Sequence, residues 1–172
     1  MRPRRARPVL SAVVLAAASG TAACGTNSAA AVASDPAPGC NVMDHLEEKI
    51  VAFSLNELGG PYPSLHDSAT YQTRLYDSSG KQIATVYGKA NIADRLPNGD
   101  LLEYSEETIE LPAGTIESQG IYNVTQGQAH KWQFMPAIGT KGAYKGKMGK
   151  RSFKILKDGE LLDAKIEVCP VK

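Results

Sequence analysis

The sequence predicts an all-β domain, an eight-stranded antiparallel β-barrel, and three observations carry that expectation. Eight segments between Lys49 and Val168 are rich in β-branched and aromatic residues or alternate in polarity. Cys40 and Cys169 flank all eight, so a bond between them would bring the first and last strands together. Four glycines in Gly139–Gly149, GTKGAYKGKMG, stand at spacings of three, four and three around Tyr144. Glycine weakens a strand unless the backbone bends sharply or passes close to another backbone. The run therefore reads as a corner in a closed sheet, with a flexible Gly/Lys loop as the alternative. No pair of its glycines has the spacing of a phosphate-binding P-loop.

The strands are expected at Lys49–Leu58, Thr70–Asp77, Gln82–Ile92, Asp100–Leu111, Gly114–Asn123, His130–Ile138, Lys150–Lys157 and Glu160–Val168. Asp77-Ser78-Ser79-Gly80 turns the chain between the second and third, and Pro97-Asn98-Gly99-Asp100 between the third and fourth. Pro112-Ala113-Gly114 separates the fourth from the fifth. Asp158-Gly159 between the last two suits a type I′ hairpin. Short connections and few helical patterns favour a barrel over a sandwich. Eight strands leave an interior that holds side chains or one small ligand.

Before the barrel lie two segments of different character. Residues 1–23 read as a signal peptide: Arg2, Arg4, Arg5 and Arg7 form a basic start, and Val9 to Ala18 an apolar run too short to span a bilayer. Thr21-Ala22-Ala23-Cys24 resembles the lipobox of bacterial lipoproteins, which makes Cys24 the expected lipidation site and the cell membrane's outer face the expected location. Cleavage after Ala31-Val32-Ala33, giving a soluble secreted protein, is the alternative. Residues 24–39 form a lipidated cysteine and an Ala/Ser/Pro/Gly-rich tether, and residues 40–172 the barrel domain. An exported chain meets an oxidising environment, so Cys40 and Cys169 are expected to form a disulfide.

Charge excludes one class of function. The full chain carries 19 Lys+Arg against 18 Asp+Glu; without the four arginines of the signal, 15 basic side chains face 18 acidic ones. That balance gives no reason to expect nucleic acid. Lys141, Lys145, Lys147, Lys150, Arg151, Lys154 and Lys157 read as a solvated basic rim, with attraction to anionic headgroups as the alternative. Asp100, Glu103, Glu106, Glu107 and Glu110 read as the wet face of strands. His45, His66 and His130 are scattered, so no metal site and no cofactor is expected. No GxSxG elbow is present. Trp132, Phe134 and Tyr104 read as packing residues rather than a ligand platform. In the first segment Val51, Phe53 and Leu55 alternate with Ala52, Ser54 and Asn56, and either set can be the inner one.

Three stretches carry a family resemblance. IVAFSLNELGGPYP, Ile50 to Pro63, resembles the first strand and following loop of plant allene oxide cyclases, where an Asn-Glu pair precedes a loop proline. The Gly139–Gly149 run resembles that family's late glycine segment, shared in related form by dirigent proteins, and Gln119-Gly120-Ile121-Tyr122 resembles a QGxY segment between the two. The resemblance implies a barrel with an elongated apolar cavity, often trimeric, that takes a small hydrophobic molecule, lipid-like or polyketide-like. It implies that Asn56 and Pro63 match the catalytic water-holding positions and that Ser54 and Thr73 line the ligand site. Ser54 stands where the plant enzymes carry an acid, and a hydroxyl supplies no negative charge to a developing cation. The function expected is therefore ligand binding. An isomerase or cyclase acting by intramolecular cyclisation, and a structural barrel with no ligand, are the alternatives.

Overall fold

The computed structural model describes residues 39–58, 60 and 62–171, all within the unit Asp35–Lys172. The expected signal peptide, Cys24 and nearly all of the tether lie outside the described residues. Eight antiparallel strands close on themselves in sequence order, with β1 pairing β8. They are β1 Asn41–Asn56, β2 Ser68–Tyr76, β3 Gln82–Arg95, β4 Leu101–Leu111, β5 Gly114–Asn123, β6 Gln133–Gly142, β7 Lys147–Lys157 and β8 Leu161–Pro170. One short helix, α1 Val124–Gln128, joins β5 to β6 and is capped by the Asn123 side chain, which accepts from the Gln126 N–H at 2.9 Å. The closed barrel matches the expected fold class, and the Cys40–Cys169 disulfide is present across 129 residues of sequence.

Closure leaves the barrel with two unlike ends. At one end Leu46, Leu75, Val86, Ile109, Ile116, Ile166 and Val168 are buried together with Tyr144. Tyr144 comes from the glycine run, and the reason for the glycines is close backbone approach. A Cβ on Gly139 would stand 1.8 Å from the Tyr144 carbonyl oxygen, and one on Gly149 would stand 1.8 Å from that of Glu167. The run is thus a tight corner that folds Tyr144 into the core, not a flexible loop. At the other end Ile92, Leu101 and Val124 pack with Tyr62, Leu65 and Tyr122, and the interior stays open.

Three local expectations are corrected. β1 begins at Asn41, eight residues earlier than expected, because a bulge between Met43 and Leu46 interrupts the alternation that would have revealed it. His45 sits in that bulge at φ 54°. β7 begins at Lys147, inside the glycine run. In the β7–β8 turn only Gly159 has positive φ (67°), so the hairpin is not type I′, which needs it at Asp158 as well.

Candidate functional site

The open end leads into a cavity of about 310 Å³ inside the barrel. Strand alternation decides what lines it. On β4, Leu101, Glu103, Ser105, Glu107 and Ile109 point inward, while Tyr104, Glu106 and Glu110 point out. On β7 the inward residues are Arg151, Phe153 and Ile155. β1 contributes Glu48 and Ile50, and β2 contributes Tyr71 and Thr73. The walls near the mouth are apolar or aromatic: Ile50, Phe53, Val124, Phe153, Ile155 and Leu162, with Tyr122 meeting Phe153 edge-on at 5.1 Å.

The floor is charged. Arg151 is 1% exposed and donates from Nη2 to both carboxylate oxygens of Glu48, at 2.9 and 2.8 Å, and from Nε to Glu107. Thr73 donates to Glu48 at 2.6 Å, and Tyr71 donates to Glu107 at 2.9 Å while also bonding to Ser105. Burial works against the Arg151 charge, but Glu107 and Glu48 outweigh it and hold the guanidinium firmly protonated. Burial pushes the Glu107 carboxyl up, and the Arg151 charge opposes it. Arg151 Nη1 is buried with no hydrogen-bond partner among the described residues, a state that costs about 1–3 kcal/mol or more for a charged donor.

Beside this floor stands a third buried carboxyl, with no cation partner among the described residues. Glu103 is 3% exposed and accepts from Tyr122 and, at 2.8 Å, from Tyr62. Burial raises its pKa against the lowering effect of the two hydroxyls, and the nearby Glu107 charge adds to the rise. Both tyrosines are raised in turn by their own burial and by the Glu103 charge. Tyr62 comes from the β1–β2 loop, which Asp67 organises by accepting from the N–H groups of Leu58 and Ser64, both at 2.8 Å.

The residues expected from the sequence fall in different places. Thr73 lies in the interior, 2% exposed and bonded to Glu48. Ser54 and Asn56 do not face the cavity. A bulge between Ile50 and Ala52 inverts the alternation of β1, so Phe53 shares the inner face with Tyr71 while Ser54 pairs with Thr70 and Asn56 with Ser68. Both line an open groove of about 410 Å³ on the outer wall, with Lys89, Asn91, Tyr104 and Glu106. Pro63 is half-buried in the β1–β2 loop, next to the Tyr62 that reaches Glu103. Trp132 and Phe134 are exposed and absent from the cavity wall.

Two expectations are overturned outright. Arg151 is not part of a solvated rim, and Glu103 and Glu107 are not on a wet face. Parity held the signal for both: Glu103, Ser105 and Glu107 lie between Leu101 and Ile109 at even spacing, and Arg151 shares parity with Phe153 and Ile155.

A family model described as allene oxide cyclase barrel like domain matches residues 45–168. No curated protein sequence matches the chain. Among solved structures, AbnU, described as an exo-specific intermolecular Diels-Alderase, is similar with a TM-score of 0.70 and 24% identity over 75% of this chain and 96% of that one. A nonspecific heme-binding cyclase that catalyses a [4 + 2] cycloaddition in neoabyssomicin biosynthesis has a TM-score of 0.71 and 25% identity. The Diels-Alderase AbmU from Streptomyces koyangensis has 0.70 and 25%. The chain spans 64% of the length of each of these last two, which cover 77% of it.

Proposed function

The chain belongs to the family of allene oxide cyclase-like barrels, and we propose that it binds a small, mostly apolar molecule in the barrel interior and promotes an intramolecular ring closure there. One observation carries this reading: an apolar-walled cavity of about 310 Å³ stands over a buried, hydrogen-bonded charged floor. Pockets of a few hundred Å³ with apolar walls and a few convergent polar groups are the usual form of small-molecule sites. The apolar wall selects a compact, folded conformer of a flexible ligand, which removes much of the entropic barrier to joining its two ends. The floor supplies fixed charges and dipoles that need no reorganisation as charge shifts in the reacting molecule.

The carboxylate missing at Ser54 is supported from other positions, since Glu48, Glu103 and Glu107 all border the cavity. The cyclase relatives agree with ring closure as the reaction class. A haem does not fit the cavity: none of its lining residues is His, Met or Cys, and the hydroxyls of Tyr62, Tyr71 and Tyr122 are committed to carboxyl groups. The proposal includes export and a lipid anchor at Cys24, supported by the basic start, apolar run and lipobox-like sequence.

Native mass spectrometry after incubation with a lipid and polyketide extract tests binding, and an empty barrel would refute it. Incubation with a freshly made allene oxide, and separately with a linear polyene bearing a conjugated carbonyl, tests conversion. One product enantiomer in excess over the uncatalysed control is expected with at least one of them. Racemic product at the control rate with both would leave binding without catalysis. Cys24→Ser is expected to release the protein from membranes.

A further inference from the structure

The guanidinium of Arg151 has three nitrogens, and two are spent. Nε faces Glu107 and Nη2 faces both oxygens of Glu48. Nη1 is buried without a hydrogen-bond partner among the described residues, and Arg151 lines the cavity. Arg151 is thus a cation at the cavity wall with one nitrogen left uncommitted among the described residues. The centroid of the Phe153 ring lies 5.2 Å from the guanidinium carbon, a cation–π contact at the same wall.

The charges around it decide what kind of oxygen it accepts. Two carboxyl groups already share this single cation, and Glu103 stands beside them with no cation of its own among the described residues. An anionic ligand head would add another negative charge to a buried site whose one cation among the described lining residues is already shared by two carboxyl groups. An uncharged carbonyl oxygen takes the same hydrogen bond without that penalty.

We propose that Arg151 Nη1 is the recognition and polarising donor for an uncharged, conjugated carbonyl on the ligand, and that the cavity discriminates against carboxylates. The inference rests on the reading of the cavity as a ligand site and names the ligand's class. Hydrogen bonding to the carbonyl oxygen draws electron density out of the attached double bond, which activates that bond toward an electron-rich partner in the same molecule. No redox or covalent step on the protein is needed.

The probes are 4-phenylbut-3-en-2-one and trans-cinnamate, which share a skeleton and differ by a methyl group against a charged oxygen. The ketone is expected to bind at least about tenfold more tightly than cinnamate, with its ultraviolet band moved to longer wavelength. Arg151→Met is expected to abolish that band shift. Because this variant leaves two buried carboxyl groups uncompensated and can fail to fold, Glu48→Gln provides a second arm. It removes one competing carboxylate, so cinnamate affinity rises about tenfold while the ketone's band shift persists. Cinnamate binding as tightly as the ketone, a bound ketone with an unmoved band (a water on Nη1 instead of the ligand), or no gain for cinnamate in Glu48→Gln would each overturn the assignment. Failure of both probes to bind would overturn the small-molecule reading itself.

Discussion

Gly88→Ala tests whether the cavity floor is built around a backbone gap. Gly88 pairs with Tyr71 across β2 and β3. A Cβ added there would stand 2.1 Å from Cζ of the Tyr71 ring, 2.2 Å from Cε2 and 2.6 Å from the hydroxyl oxygen. Ordinary carbon contacts lie near 3.5 Å, so the ring must retreat by about 1.4 Å or more. It cannot do so and keep its 2.9 Å bonds to Glu107 and Ser105. Overpacking costs about 1–3 kcal/mol, and a lost bond to a charged acceptor about 1.5–3 kcal/mol. Replacing glycine in a strand returns about 0.5–1 kcal/mol. The net expectation is a loss of about 1.5–5.5 kcal/mol in urea unfolding, with m unchanged. The decisive measurement is the double-mutant cycle with Tyr71→Ala: with the ring gone, Gly88→Ala should cost nothing or stabilise slightly, giving a coupling of about 2 kcal/mol or more. Additivity within about 0.5 kcal/mol would refute the argument that this glycine exists to house the ring.

Three other outcomes follow from the same structure. Replacing Cys40 and Cys169 by serine opens a cross-link spanning 129 residues; the chain-entropy relation gives a loss of about 5 kcal/mol, measured by urea unfolding, and a change below about 1 kcal/mol would show that the unfolded chain is not the state the bond restrains. Glu103 has its carboxyl pKa raised by burial, so the folded state holds this proton to higher pH than the unfolded one. Stability therefore falls as pH rises from the ordinary carboxylate range through the raised value, and wild type should lose ground to Glu103→Gln over that interval; a pH-independent difference would refute it. Tyr144→Ala removes a side chain only 8% exposed from the closed end and is expected to cost about 3–5 kcal/mol by thermal or urea unfolding.

Much of the fold was legible because its determinants are local. Turn residues at Asp77–Gly80 and Pro97–Asp100, alternation along Leu101–Ile109, and the position of two cysteines each act over a few residues or fix a single distance. The glycine run was legible as a corner for the same reason, since only backbone crowding makes so many glycines useful within a strand region. The first half of β1 was not legible. Asn41 to Glu48 contains three acidic residues and a histidine, and the bulge at His45 breaks the period of two that betrays a strand. Glu48 was lost with it.

The site was hidden by a different cause, which is that parity is a property of pairing and not of sequence. Counted from Glu48 without interruption, Ile50, Ala52, Ser54 and Asn56 would all face inward. One extra residue between Ile50 and Ala52 reverses this, so Phe53 looks into the barrel and Asn56 looks out. The same rule explains why a glutamate run on β4 looked like a wet face. Glu106 and Glu110 are on that face, whereas Glu103 and Glu107 are spaced to miss it. Burying two carboxylates is unfavourable without compensation, and the compensation comes from Arg151, which is 44 residues from Glu107 and 103 from Glu48 in the chain. No local pattern links the three. The absence of an acid at position 54 therefore says little about the chemistry of the interior, because closure of the sheet brings the carboxylates in from β1 and β4 and their cation from β7.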